Sequence, residues 1–263
     1  MGNPSALAVV TGASRGIGRS LCERLAATRP VVALARSIEG LADIAGPHPV
    51  VAISCDVSDP HSVSAAWARI RAEVGEPDLL VNNAGICDDG GPVWEQDPDT
   101  WWRVFEVNLR GAFLVSRAAL PGMLEQGRGR IVNVASNAAF YRVWDGLDGF
   151  DYSAYMSSKA ALVRLTEVMA GETAGRGIAV LAVSPGTVKT DMTATADAFR
   201  AMWDDDDVWV SAEPIADLVE VIADGELDVL TGRYIHAVTD DWRDLVARQA
   251  EIAERDTHTL RIR

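Results

Sequence analysis

The sequence predicts an α/β protein: a doubly wound parallel sheet of about seven strands with helices on both faces, in one domain spanning residues 1–263. Three observations carry this prediction. Short, continuously apolar runs alternate with helical patterns along the whole chain, the first run leads directly into a glycine-rich turn and a helix, and no repeat or Pro/Gly-rich linker divides the sequence.

The strand candidates are Ala6 to Thr11, Val31 to Ala35, Val50 to Ser54, Leu79 to Asn82, Arg130 to Val134, Ala179 to Val183 and Arg233 to His236. Their unbroken hydrophobicity is expected where both faces of a parallel sheet are covered. Between them, Ser58-Asp59-Pro60 reads as a helix start, and Val63, Trp67, Ile70 and Val74 recur at helical spacing. Another helix begins near Gly16 and runs to about Ala27. Strict alternation of strand and helix implies right-handed crossovers, with ligands bound at the carboxyl ends of the strands.

Composition narrows the function classes. An apolar share of 48% is ordinary for a globular chain, and no apolar run approaches the roughly 20 residues that span a bilayer. A net charge of −14 argues against nucleic acid or an anionic membrane as partner, so any phosphate site must be local. Cys22, Cys55 and Cys87 are odd in number and widely spaced, which disfavours disulfides and fits a reducing cytoplasm, as does the lack of an export signal after Met1. The four histidines are scattered and the acidic run Asp204 to Asp207 lacks the spacing of a calcium loop, so no metal site is expected.

The turn after the first strand reads Thr11-Gly12-Ala13-Ser14-Arg15-Gly16-Ile17-Gly18. Glycines allow a sharp turn and close approach of backbone to a pyrophosphate, and free N–H groups at the helix start attract its charge. Further along, Tyr155 and Lys159 lie four residues apart on a helical pattern, hence on one face. An ammonium about 5 Å from a phenol, at an effective dielectric of about 20, favours phenolate by roughly 3 kcal/mol, or about two pKa units. Such a phenol can exchange a proton with a substrate oxygen near neutral pH. Tyr152 is a nearby competitor, but no lysine follows it at that spacing.

Other segments occur in a fixed order around these two: Asn82-Asn83-Ala84-Gly85, Val107-Asn108-Leu109-Arg110-Gly111, Ser136 after Ile131-Val132-Asn133-Val134-Ala135, Tyr155-Met156-Ser157-Ser158-Lys159, and Pro185-Gly186-Thr187-Val188-Lys189-Thr190. Together with Gly-x3-Gly-x-Gly they make the chain resemble, over nearly its whole length, the single-domain form of the short-chain dehydrogenase/reductase family, whose fold is of Rossmann type. The resemblance implies a catalytic set of Asn108, Ser136, Tyr155 and Lys159, with Asn108 holding a proton-relay water and Ser136 bonding the substrate oxygen. It also implies a dinucleotide held by Gly12, Ser14, Arg15, Gly16, Ile17 and Gly18, by Asp56 and Val57 at the adenine and Asn83, Ala84 and Gly85 at the adenosine, and by Pro185, Gly186, Val188 and Thr190 at the nicotinamide, with Tyr155 and Lys159 also touching the cofactor. Family members are usually homodimers or homotetramers through the helices carrying Asn108 and Tyr155, so a homo-oligomer is implied too. The connection Phe140 to Phe150 is longer than the family's and reads as an insertion over the substrate pocket.

The second strand ends Ala35-Arg36-Ser37, with alanine where NAD enzymes place an acid and an arginine suited to a 2′-phosphate, so NADP is favoured over NAD. Arg15 could clamp the same phosphate. The expected reaction is hydride transfer between nicotinamide and a carbonyl or secondary alcohol carbon of a small molecule. Trp94, Trp144, Trp203 and Trp209 suggest a bulky or cyclic substrate, the last two within a substrate loop at about 191–213. A C-terminal extension at about 240–263 could cap the pocket or a neighbouring subunit, or cover its own sheet. Two alternatives stay open: an epimerase or dehydratase of the extended family, and a dinucleotide-binding redox sensor without turnover.

Overall fold

The computed structural model describes residues 6–41, 43–140, 151–195 and 203–260. Seven strands pair in parallel: β1 (Ala8–Thr11), β2 (Val31–Ala35), β3 (Val50–Ser54), β4 (Leu79–Asn82), β5 (Gly129–Val134), β6 (Ile178–Ser184) and β7 (Tyr234–His236). Their order across the sheet is β3-β2-β1-β4-β5-β6-β7. The chain thus winds outward from β1 to β3, crosses back, and winds the other way from β4 to β7. This reversal opens a crevice beyond the carboxyl ends of β1 and β4, the place where open parallel sheets bind ligands.

The helices are α1 (Gly16–Leu25), α2 (Pro60–Glu73), α3 (Pro98–Phe105), α4 (Ala112–Gln126), α5 (Ser153–Glu172), α6 (Asp191–Thr195), α7 (Glu213–Ala223), α8 (Trp242–Ala247) and α9 (Gln249–Arg255). As expected, α2 starts at Pro60, with the Asp59 carboxylate accepting from the His61 N–H at 2.9 Å. Helix α1 starts at Gly16 but stops at Leu25, short of the expected Ala27.

Alternate residues of each strand feed opposite cores, which explains the unbroken apolar runs. In β2, Val31, Ala33 and Ala35 join one cluster with Leu21 of α1 and Ile215 and Ile222 of α7. Val32 and Leu34 join the other with Trp67 of α2, Val115 of α4 and Met169 of α5. The C-terminal extension covers its own sheet: Leu245 and Ile252 are buried in the first core. Beyond α9 the chain docks beside β7, where the Tyr234 N–H donates to the His258 carbonyl at 2.8 Å and the Leu260 N–H to Glu167 Oε1 at 2.7 Å.

One polar chain crosses the second core. Asn82 Nδ2 donates to Ser116 Oγ (2.9 Å) and to Asn133 Oδ1 (2.8 Å), and Asn133 Nδ2 donates to Thr166 Oγ1 (2.8 Å). All four side chains are buried, so β4, β5, α4 and α5 are locked in one register by bonds that water cannot replace. Asn133→Ala is expected to cost about 2–4 kcal/mol in denaturant unfolding, since it strands polar groups on both neighbours. A loss below about 1 kcal/mol would show the chain to be incidental.

Candidate active site

The turn after β1 is shaped by glycines with left-handed φ: 65° at Gly12 and 53° at Gly16. Gly18 is needed for a different reason. A Cβ there would stand 2.3 Å from the Gly12 carbonyl oxygen and 2.5 Å from Asn83 Nδ2, so only glycine lets α1 lie this close to the turn. Asn83 Nδ2 donates to the carbonyls of Thr11 (2.9 Å) and Gly12 (3.3 Å), and Thr11 Oγ1 accepts from the backbone N–H groups of Asn83 and Ala84, both at 3.0 Å. The turns after β1 and β4 therefore brace each other. Helix α1 has no side-chain cap at Arg15, and its first residues, Gly16, Ile17 and Gly18, line the crevice.

The crevice is a cleft of about 850 Å³. Gly12, Ser14, Arg15, Gly16, Ile17 and Gly18 line it, as do Arg36, Asp56, Val57, Asn83, Ala84, Gly85, Tyr155, Lys159, Pro185 and Thr190. A bare helix start and an uncrowded glycine floor fit a dinucleotide. Four residues expected at the site lie off the wall. Gly186 and Val188 face away: a Cβ on Gly186 would touch Val210 and Val238 at 3.0 Å, and Val188 is buried against Val210 in an isolated bridge. Asn108 and Ser136 are absent from the wall too.

Lys159 is 4% exposed and donates to the Val134 carbonyl at 2.7 Å. Burial pushes its ammonium down to about 8. The nitrogen lies 5.6 Å from the centroid of the Tyr155 ring, the one-turn proximity expected from the sequence. Asn108 sits on a π-helical turn, Glu106–Gly111, where Oδ1 accepts from the Ile86 N–H (2.8 Å) and Nδ2 donates to the Ile86 carbonyl (2.9 Å) and to Ser158 Oγ (3.0 Å). Gly85 lies against both Asn108 and Lys159: a Cβ there would stand a tight 3.3 Å from Asn108 Oδ1 and in ordinary contact, 3.5 Å, with the Lys159 ammonium. Ser136 follows β5, with Oγ accepting from the Ala138 N–H at 3.1 Å. Tyr152 is 3% exposed and lies under Gly90, so it does not share the cleft with Tyr155.

Arg15 lines the cleft and pairs with Asp191 on the opposite lip at 3.0 Å, both side chains well exposed. Trp94 is 84% exposed, and Trp144 with the rest of 141–150 lies outside the described residues. Trp203 and Trp209 pack edge to face at 5.1 Å, with the Lys189 ammonium 5.6 and 5.5 Å from their rings and 3.3 Å from Asp206. The acidic run thus meets a lysine; among the described residues no group of three or more His, Cys, Asp or Glu side chains gathers.

Sequence reasoning missed Arg103, which reaches the cleft from α3, donates to Ser58 Oγ at 2.8 Å and stands 3.5 Å from Asp56 Oδ2. Burial opposes ionisation of Asp56, but bonds from Ser58 and the charges of Arg103 and Arg36 bring its pKa below the ordinary value. Cys87 also lines the cleft, its thiol pushed up to about 12 by burial.

Gly18→Ala is expected to weaken binding of a nicotinamide dinucleotide at least about tenfold, because relieving the clash moves the helix start by a sizeable part of an ångström. Fluorescence titration of the cofactor measures it, and unchanged affinity would mean that the turn does not hold phosphate.

Residues 6–201 match the short chain dehydrogenase family. The 3-oxoacyl-(acyl-carrier-protein) reductase FabG of Escherichia coli (strain K12) is 35% identical over 244 residues, covering 88% of this chain and 94% of the reductase. Among solved structures, a single-substitution variant of the actinorhodin polyketide ketoreductase with NADPH aligns with a TM-score of 0.77 at 29% identity, over 88% of this chain and 95% of that one. A ribose-5-phosphate isomerase from Brucella melitensis 16M aligns with a TM-score of 0.78 at 33% identity, over 89% and 91% of the two chains. With most of its length matched and a relative this similar along nearly all of it, the chain belongs to the short-chain dehydrogenase family.

Proposed function

We propose that the protein is an NADP-dependent ketoreductase or alcohol dehydrogenase acting on a small, bulky or cyclic carbonyl or secondary alcohol, with Tyr155 as the acid/base. One observation carries the reading: Tyr155 and Lys159 line the same cleft as the glycine turn, with a buried ammonium 5.6 Å from the phenol ring. When bound, the nicotinamide supplies or accepts the hydride. The chain's part is to place the substrate oxygen and move its proton. In reduction Tyr155 gives its phenolic proton to that oxygen, and in oxidation it takes one. Lys159 stabilises the phenolate left behind, Ser136 holds the oxygen from the end of β5, and Asn108 holds a water of the proton relay.

Arg36 and Ser37 line the cleft where β2 ends, and Ala35 stands where an acid would repel a 2′-phosphate, which supports NADP. That FabG is a reductase and that the ketoreductase structure holds NADPH supports the same choice. Exposed Phe113 on α4 and Val168 on α5 support a homo-oligomer through these helices. A cytoplasmic setting belongs to the same reading, supported by three cysteines that are all unpaired. No helix of the described residues is long and apolar enough to cross a membrane.

A panel of ketones and aldehydes with NADPH, then NADH, tests the proposal. NADPH is expected to be oxidised with higher kcat/KM than NADH, and Tyr155→Phe to abolish turnover while leaving the cofactor Kd nearly unchanged. Substantial activity in that variant would move the acid/base elsewhere. The reaction should also depend on pH. The Lys159 ammonium is charged below its lowered pKa, and the pair in its protonated form is the one that donates, so reduction should be retained below about pH 8 and fall as pH rises through it. A profile flat to about pH 10, the free-phenol value, would contradict this.

A further inference from the structure

We propose that Asp88 is a positioning residue for Tyr155, capping the helix that carries it from a distant loop; the inference rests on Tyr155 as the acid/base. Helix α5 begins at Ser153, and the residue at its capping position, Tyr152, supplies no side-chain cap. The first turn is capped instead from the loop after β4. Asp88 Oδ2 accepts from the Ala154 N–H at 3.2 Å and Oδ1 from the Tyr155 N–H at 3.3 Å. These are the second and third N–H groups of the helix, the two that a local Ser, Thr or Asp cap would satisfy. Asp88 is 5% exposed, so its charge is held by these donors and the positive end of the helix, and the Cys87 thiol lies 3.8 Å from Oδ1.

The consequence for Tyr155 is that its backbone is gripped at both ends. Its N–H donates to Asp88, and its carbonyl accepts from Ser158 Oγ at 2.8 Å, which in turn accepts from Asn108 Nδ2 at 3.0 Å. Asn108 also binds both backbone groups of Ile86, two residues before Asp88. Asn108 and Asp88 thereby act through one loop: the first fixes it against the π-turn, the second fixes the helix start against it. Gly90 extends the same bed, since only a glycine at φ 77° leaves room for the Tyr152 ring, which a Cβ would meet at 3.0 Å. Displacing the Tyr155 phenol by about 1 Å from the substrate oxygen is enough to cost up to about a hundredfold in rate.

The test compares wild type with Asp88→Ala and the near-isosteric Asp88→Asn in three readouts: amide hydrogen exchange at residues 154 and 155, NADPH affinity by fluorescence, and kcat and KM for one carbonyl substrate. Asp88→Ala is expected to speed exchange at Ala154 and Tyr155 at least about tenfold, and to lower kcat about ten- to a hundredfold with KM and NADPH affinity changed less than about threefold. Asp88→Asn, which keeps one acceptor, should fall between. If Asp88→Ala does not fold, Asp88→Asn alone decides, with faster exchange and a lower kcat both required. Unchanged exchange at 154 and 155, or kcat within about twofold of wild type, overturns the proposal. Absence of turnover in wild type with every carbonyl would instead refute the ketoreductase reading, and the exchange experiment would still report on the cap.

Discussion

A charged lysine inside the fold is the constraint around which the site is built. Moving the Lys159 ammonium from its ordinary 10.5 to about 8 corresponds to a penalty of roughly 3 kcal/mol on the charged form at neutral pH. A fold keeps such a charge only where structure on every side holds it, and here that structure is the Val134 carbonyl at the end of β5, the glycine at position 85 and the packing of α5 on the sheet. The same burial is what gives the charge its reach. In a low dielectric an ammonium near a phenol acts far more strongly than it would in water. Lysine and tyrosine so placed titrate as a coupled pair: the ammonium makes the phenol easier to ionise, and the phenolate in turn makes the ammonium harder to deprotonate.

The site surrounds that pair in layers that serve different needs. Glycines 12 and 16 turn the chain through left-handed φ, and Gly18 lets α1 pack on that turn, which leaves a bare helix start at the crevice. The Asn82–Asn133–Thr166 chain holds β4, β5 and α5 in register below the site. The loop after β4 then serves two elements at once, lending Ile86 to Asn108 and Asp88 to the start of α5. Polar groups in this region are satisfied mostly by distant parts of the chain, so the site's geometry is a property of the whole fold and not of one segment.

That division also explains what was legible in the sequence. Strands buried on both faces announce themselves as unbroken apolar runs, and all seven expected strands are present, with ends within about two residues. The glycine turn and the Tyr155–Lys159 pair were legible because their chemistry depends on short-range spacing, which a helix or turn converts directly into geometry. Arg103 and Asp88 were not. Each reaches the site from another element, over 47 residues between Arg103 and Asp56 and 67 between Asp88 and Tyr155, and nothing local distinguishes them from a solvated arginine or a loop aspartate. The Arg15–Asp191 pair was not legible either: the arginine's place in the motif is local, but its partner comes from α6. The C-terminal helices showed an apolar pattern without a direction, and only the fold shows Leu245 and Ile252 turned into the core of their own sheet.

The coupling of phenol and ammonium is most directly measured by NMR titration of ring-labelled tyrosine, the Tyr155 signal being assigned among the four tyrosines by its loss in Tyr155→Phe. If the buried charge does what the structure implies, the wild-type Tyr155 phenol begins to ionise well below the ordinary value of about 10, and Lys159→Met returns it toward or above that value. A phenol that titrates near 10 in wild type and does not move when the lysine is removed would contradict the account.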